Sequence, residues 1–398
     1  MRIGGRWVPS RRLASGLLVL AGLFAAGRLS RELVPADWVR VVQLGLGAAA
    51  AIYVALVVER LRNTAVVVTS VLLCLAAIEA YAVIEYPRPI NIHTPDLWGP
   101  QAVLGWGARN PGSFHHTEID AKTGRRLVDV DYTIDEHLNR KVDSAPDGPA
   151  VAFFGDSFTF GLGLPDADTL PQAFADATGR AIRVIDLGFP GYGPQQFLRA
   201  LETGLYDGLL RPSRLFVFQT AAWHAERSSC IADFVKHAPR YRLIGGRPEL
   251  AGSCTRWWSA LTRSLFTGSA TYRAFVAPLV ERVRPADIEL YLAIIERAAE
   301  LAREKYGVPT AILYLPDRDY AGRTGISDDE IMRRLRDHAL IVVNGALDPS
   351  AFPGQPLLIP GDGHPTAVAN RVRALLVRDA VQSLFPEAPS RTAGTPRP

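Results

Sequence analysis

Cysteine and methionine are scarce in this 398-residue chain, with three copies and two. Three cysteines, Cys74, Cys230 and Cys254, are too few for a disulfide scaffold or for the paired Cys-x-x-Cys ligands of a structural zinc site. His-Glu-x-x-His, a Walker-type phosphate loop and a dinucleotide fingerprint are all missing, and no internal repeat is visible. His115 and His116 are adjacent and face opposite sides of an extended chain, which argues against a joint metal site. No metal and no organic cofactor is expected. Surplus positive charge is also missing from most of the chain. A net charge of +4 and a pI near 9.0 would suit a nucleic-acid partner if spread evenly. Residues 1–84, however, hold 9 Lys+Arg against 4 Asp+Glu, and the remainder 35 against 36. No nucleic-acid partner is therefore expected. With 48% hydrophobic residues, 21% charged and a mean hydropathy of +0.08, the chain is neither disordered nor collagen-like.

The same first fifth contains long apolar runs. Val41 to Val58 is eighteen residues without a charge, enough to cross roughly 27 Å of hydrocarbon. Thr64 to Ile84 is interrupted only by Glu79. A shorter run, Leu13 to Gly27, spans if Arg12 and Arg28 snorkel; its other reading is a signal-peptide core. Three transmembrane helices are expected, near 13–28, 41–58 and 64–84, forming an anchor over 1–85. Arg2, Arg6, Arg11, Arg12, Arg60 and Arg62 then share one side, the cytoplasmic one, against Arg28, Arg31 and Arg40 opposite. Everything after Ile84 lies outside the cytoplasm. Cys230 and Cys254, the two cysteines of that part, permit one disulfide in an oxidising compartment, worth about 3 kcal/mol by loop closure. Two unpaired thiols are the alternative.

Residues 86–148 read as an irregular, β-rich lead-in with a hairpin turn at Lys122 to Arg125. From Pro149 strands and helices alternate. Strands are expected at 150–154, 182–187, 214–219, 310–315 and 340–344, and helices at 169–177, 194–209, 286–306, 328–338 and 365–384. Strands apolar throughout, separated by helices, indicate a parallel sheet covered on both faces, hence a three-layer α/β/α domain over 149–385. The Pro-rich tail 386–398 reads as disordered. A site in such a sheet is expected at the carboxyl ends of the strands.

The first strand runs into Phe153 to Gly161, FFGDSFTFG. Ser157 there would sit on a strand-to-helix turn, its hydroxyl at the sheet rim and its own N–H near a developing oxyanion. The other role open to it is that of a helix N-cap. Near the end of the domain, PGDGHPTAVANR carries Asp362 and His364. A serine needs a base to take its proton, and a carboxylate to orient that base. Pro365 suits the first position of the last helix.

These blocks resemble those of the SGNH (GDSL-type) hydrolase superfamily. Gly155 to Phe158, GDSF, is similar to the first block, and Asp186 to Gln196, DLGFPGYGPQQ, to the second, whose glycine amide helps form the oxyanion hole. Gly191 is the matching position, with Gly188 the runner-up. GDGHP resembles the last block, carrying Asp362 and His364. The resemblance covers roughly Pro149 to Phe385 and implies an SGNH/flavodoxin-like fold. The family usually places two residues between Asp and His, and here there is one; membrane-tethered relatives and the SGNH-like domains of alginate O-acetyltransferases use this D-x-H form. The family's third block supplies an Asn, and none follows Gln219 in LFVFQTAAWHAER. Losing such a donor typically costs about 10²- to 10³-fold in rate. Trp223 and His224 are candidates to replace it, and Arg227 to bind an acidic group.

The resulting expectation is a membrane-anchored, extracytoplasmic serine esterase acting on O-acyl groups, above all O-acetyl groups, of envelope glycans or lipids. Ser157 is the nucleophile, His364 the base and Asp362 its orienting acid, with the Ser157 and Gly191 amides as oxyanion hole. The implied location is a bacterial inner (plasma) membrane, crossed several times, with the catalytic domain on the periplasmic side. An O-acyltransferase modifying an extracellular polysaccharide, and an inactive glycan-binding or export-assembly domain, are the alternatives.

Overall fold

In the computed structural model the described residues are 33–87, 90–93, 97–120, 122–255 and 268–385, with 2–3, 6–7, 19, 21–23 and 25–30 ahead of them. The chain divides into two compact units, Met1–Arg88 with Trp257–Glu281, and Pro89–Arg256 with Arg282–Pro398. This division differs from the sequence reading in two ways. The lead-in joins the α/β domain, and the stretch from 257 to 281 returns to the N-terminal unit.

In the first unit, α1 (Val39–Val57) and α2 (Arg62–Glu85) pack together. With their leading turns they span 22 and 27 residues, each long and apolar enough to cross a membrane. Most buried positions of the pair are small, namely Ala48, Ala55, Ala65 and Ala82, which lets helix backbones approach. Glu79 is buried as well. Its carboxylate accepts from Ala270 N and Ser269 Oγ, both at 2.6 Å, and from Thr271 N at 3.2 Å. A buried carboxylate needs such donors, and this need ties the returning segment to the helix pair. Much of the first expected span, 13–28, lies outside the described residues; 21–23 and 25–30 are helical. The tail 386–398 lies outside them too.

The second unit opens with β1 (Ile90–His93), β2 (Trp98–Gln101), β3 (Gly105–Ala108), β4 (Gly112–Ile119) and β5 (Arg126–Ile134). β4 lies between β1 and β5 in an antiparallel sheet, and β2 pairs with β3. The β4–β5 hairpin turns where the sequence places it, with Asp120 Oδ1 accepting from Lys122 N and Thr123 N.

The α/β part follows as β6 (Ala150–Phe154), α3 (Ser157–Phe160), α4 (Leu170–Ala177), β7 (Arg183–Asp186), α5 (Pro194–Thr203), β8 (Ser213–Thr220) and α6 (His224–Ser228). A hairpin, β9 (Pro239–Ile244) with β10 (Arg247–Ser253), precedes α7 (Pro285–Leu301), β11 (Thr310–Tyr314), α8 (Asp328–Asp337), β12 (Ile341–Asn344) and α9 (Ala367–Val381). Five strands form a parallel sheet in the order β12-β11-β8-β6-β7. Alternate residues of β6 feed two cores. Ala150, Ala152 and Phe154 face α5, α7 and α8, while Val151 and Phe153 face α4 and α9. Each fully buried valine or phenylalanine of this kind contributes about 1.5 to 3 kcal/mol. Such two-sided burial is why the strands read as apolar throughout.

Two of the helix ends that differ from expectation are explained by their caps. α5 stops at Thr203 because Gly204 adopts the left-handed cap conformation, φ +66°. α9 starts at Ala367 with Thr366 as its N-cap, so Pro365 lies just outside the helix. Cys230 and Cys254 are bonded, with Cα atoms 5.4 Å apart, joining the end of α6 to the β9–β10 hairpin.

Candidate active site

The turn between β6 and α3 is built on close approach. A Cβ on Gly155 would stand 2.1 Å from Thr159 Oγ1, so only glycine admits the chain there. Asp156, not Ser157, is the N-cap of α3, its Oδ1 accepting from Phe158 N at 2.9 Å. The Ser157 side chain is thereby released to face the loop before α9.

In that loop Ile359 N donates to His364 O, and Asp362 N and Gly363 N donate to Ile359 O. The turn is tight enough for Asp362 Oδ2 to accept both from His364 N at 3.1 Å and from Nδ1 at 2.8 Å. One intervening residue thus suffices to couple acid and imidazole. His364 Nε2 lies 2.9 Å from Ser157 Oγ, across 207 positions of sequence. With Nδ1–H donating to Asp362, Nε2 is left as the acceptor for the serine proton, a tautomer assigned from the hydrogen-bond network. Burial raises the Asp362 pKa, but the His364 side-chain hydrogen bond and charge outweigh it, and the carboxyl stays below its usual range.

Among the described residues neither the Ser157 N–H nor the Gly191 N–H has an intrachain acceptor. The Gly188 N–H is taken by Asp186 Oδ1 at 2.8 Å, which favours Gly191 over Gly188 as an oxyanion donor. Trp106 and Phe234 crowd Gly191, each 3.2 to 3.3 Å from where a Cβ would be. Trp106 Nε1 donates to Pro190 O at 2.9 Å, and the Tyr192 hydroxyl donates to Trp106 O. The lead-in strand β3 therefore holds the 190–192 segment in place.

The three candidates beyond β8 separate. His224 is fully buried. Its Nε2 lies 3.0 Å from Asp156 Oδ2 and its Nδ1 2.9 Å from Thr220 Oγ1, which in turn is 3.0 Å from the Tyr291 hydroxyl. It has no opening to a substrate. Arg227 Nη1 donates to Asp156 Oδ2 at 2.7 Å and to Tyr192 O, so its charge is spent inside the protein rather than on an acidic ligand. Both expectations fail because Asp156 beneath Ser157 needs counter-charge and donors. Burial raises its pKa, but the Arg227 charge and the His224 hydrogen bond outweigh this and hold it well below the usual carboxylate range. Burial, reinforced by Arg227, pushes His224 down to about 4, so it is neutral. Trp223 is partly exposed, and its ring is 5.8 Å from that of Phe158, which is 5.3 Å from the His364 ring. Gln219, where the family's Asn block would begin, is buried and accepts from Thr159 Oγ1 at 3.1 Å.

One residue of the site comes from outside the expected domain. Glu118 of β4 is 6% exposed, and its carboxyl lies against that of Asp362. Burial, reinforced by this contact, pushes Glu118 up to about 7. The available signal was the alternation Phe114, His116, Glu118, which sets an acid on the same strand face as a phenylalanine. Among the described residues no cluster of His, Cys, Asp and Glu suited to a metal ion occurs.

No family model matches the chain, and no curated protein matches it. Among solved structures it is similar to a member of the lipolytic protein G-D-S-L family from Veillonella parvula DSM 2008, at 14% identity over 60% of this chain and 100% of that one, with a TM-score of 0.35. It is also similar to the psychrotrophic esterase EstA from Pseudoalteromonas sp., at 14% identity over 59% of this chain and 97% of that one, with a TM-score of 0.34.

Proposed function

We propose that this protein is a membrane-anchored serine hydrolase that cleaves ester bonds. The observation that carries this reading is the row Ser157 Oγ, His364 Nε2, His364 Nδ1 and Asp362 Oδ2, linked at 2.9 and 2.8 Å at the carboxyl end of a parallel sheet. Ser157 Oγ attacks the ester carbonyl while its proton passes to His364 Nε2. Asp362 stabilises the imidazolium that results and keeps Nδ1 as the donor. The carbonyl oxygen, now an anion, takes hydrogen bonds from the Ser157 and Gly191 amides. His364 then returns the proton to the leaving alcohol. Water, deprotonated by the same His364, releases the acid from the acyl-enzyme. Trp223 and Phe158 at the rim offer aromatic surface to the substrate.

Two long apolar helices and a disulfide favour a domain held at a membrane on its oxidising side. Substrates within reach are then ester groups on envelope glycans or lipids, with O-acetyl groups foremost. Purified full-length protein should hydrolyse p-nitrophenyl acetate, and Ser157→Ala should lower the rate by about 10³-fold or more. Equal rates for the variant and wild type would refute the reading.

A further inference from the structure

β4 carries an acid where an apolar residue would be expected. Phe114, His116 and Glu118 alternate on its inner face, each under a tenth exposed. A carboxyl there is costly to ionise unless it has donors or counter-charge. The partner of Glu118 is instead a second acid, Asp362. Ionised carboxylates only accept hydrogen bonds, so contact between two carboxyls requires one proton between them. That proton belongs on Glu118. Asp362 has the main-chain N–H and Nδ1 of His364 to support its charge, whereas Glu118 has Asp362.

The surroundings hold the two acids together. Val128, the β5 partner of Glu118, approaches Gly163 from one side, and Asp362 Oδ2 lies 3.7 Å from where a Gly163 Cβ would stand. Tyr132 of β5 accepts from Gly163 N at 3.0 Å, and His116 stacks on its ring. The segment 161–164 brings no ionisable group. Among the described residues, the titratable groups around Glu118 are thus Asp362 and His364 from the turn, Tyr132 from β5, and His116 two positions back on its own strand.

We propose that Glu118 is a positioning residue of the catalytic centre, a neutral acid that donates its hydrogen bond to the Asp362 carboxylate and so fixes the group that orients His364. The proposal rests on the hydrolase reading of Ser157, His364 and Asp362. Below neutral pH Glu118 keeps its proton through the cycle. The centre therefore carries one negative charge when the Ser157 proton reaches His364, and Asp362 cannot swing away from Nδ1. With its pKa near 7, Glu118 ionises as pH rises through neutrality. Its hydrogen bond is then replaced by repulsion between two carboxylates, and activity should fall.

The test compares full-length wild type, Glu118→Gln and Glu118→Ala in detergent, with kcat and KM for p-nitrophenyl acetate measured from about pH 5 to about pH 9. Glu118→Ala should lose about 10- to 100-fold in kcat with KM nearly unchanged. Glutamine donates without titrating, so Glu118→Gln should recover most of that rate and lack the alkaline decline of wild type. Identical rates and profiles for all three would overturn the proposal. So would a loss in Glu118→Ala that Glu118→Gln neither rescues nor changes in pH profile, since that describes packing alone. A second readout is independent of turnover: the side-chain carboxyl ¹³C resonance of Glu118, assigned by its disappearance in Glu118→Ala. In wild type it should titrate with an inflection near pH 7, and an inflection in the ordinary carboxylate range overturns the proposal. If Ser157→Ala were as active as wild type, the hydrolase reading would fall, while the Glu118 titration would still report whether Glu118 and Asp362 share a proton.

Discussion

Asp156 keeps its charge where water does not reach, and its neighbours show how. Arg227 supplies counter-charge at 2.7 Å, while Tyr291, Thr220 and His224 form a buried chain that ends on the same carboxylate. The chain runs consistently if the Tyr291 hydroxyl donates to Thr220, Thr220 donates to His224 Nδ1, and Nε2–H donates to Asp156 Oδ2 beside Arg227 Nη1. His224 must therefore remain neutral in the folded state, and its pKa lies near 4 instead of its unfolded value near 6.5. Between these values the unfolded chain binds a proton that the native protein refuses, so stability falls as pH drops through that window. The depressed Asp156 pKa acts in the same direction at lower pH, as the native state loses its ionised partner. Thermal unfolding from about pH 7 to about pH 4 should show a falling Tm, and His224→Gln should flatten that slope. An equally steep fall in the variant would assign the acid sensitivity elsewhere. Sequence alone made His224 and Arg227 candidates for substrate contact because they follow a strand end. Their true partner, Asp156, stands 68 and 71 positions earlier.

Elements with both faces buried were legible in advance, because an apolar run bounded by turns leaves little choice of conformation. β6, β8, β11 and the hairpin β4–β5 lie where periodicity puts them, to within a residue or two. Ends were less legible. Gly204 halts α5 within an apolar pattern that continues past it, and Thr366 out-competes Pro365 for the start of α9. The D-x-H loop shows a spacing that only makes sense as geometry, since the hydrogen bonds to Ile359 O and from Ile359 N compress the turn until one residue separates acid from base. The disulfide acts at the same scale, across 24 positions between α6 and β10. Cys254→Ser should lower stability by about 3 kcal/mol, read as a drop in the reductant-sensitive Tm of the purified protein. A Tm equal to that of wild type without reductant would show that the hairpin holds its place by packing.

For the whole molecule, charge and hydropathy divide the chain before any fold is known. The basic, apolar first fifth becomes part of a unit whose two described long helices are long and apolar enough to cross a membrane, and the near-neutral remainder, apart from residues 257–281, becomes the α/β unit. A C-terminal alkaline phosphatase fusion in a bacterial host should be active, with the protein retained in membranes after alkaline carbonate washing. An inactive fusion would reverse the orientation. Local pattern, then, determined the apolar helices, the parallel strands, the Ser157 turn and the Asp-His loop, because each is written within some ten to twenty neighbouring residues. Tertiary structure decided what depends on partners far apart in the chain. It brought Glu118 of the lead-in to Asp362, turned His224 and Arg227 inward to Asp156, and joined Glu79 to a segment 190 positions later. A buried charge must find donors wherever folding brings them, and no periodicity along the chain records which residues those are.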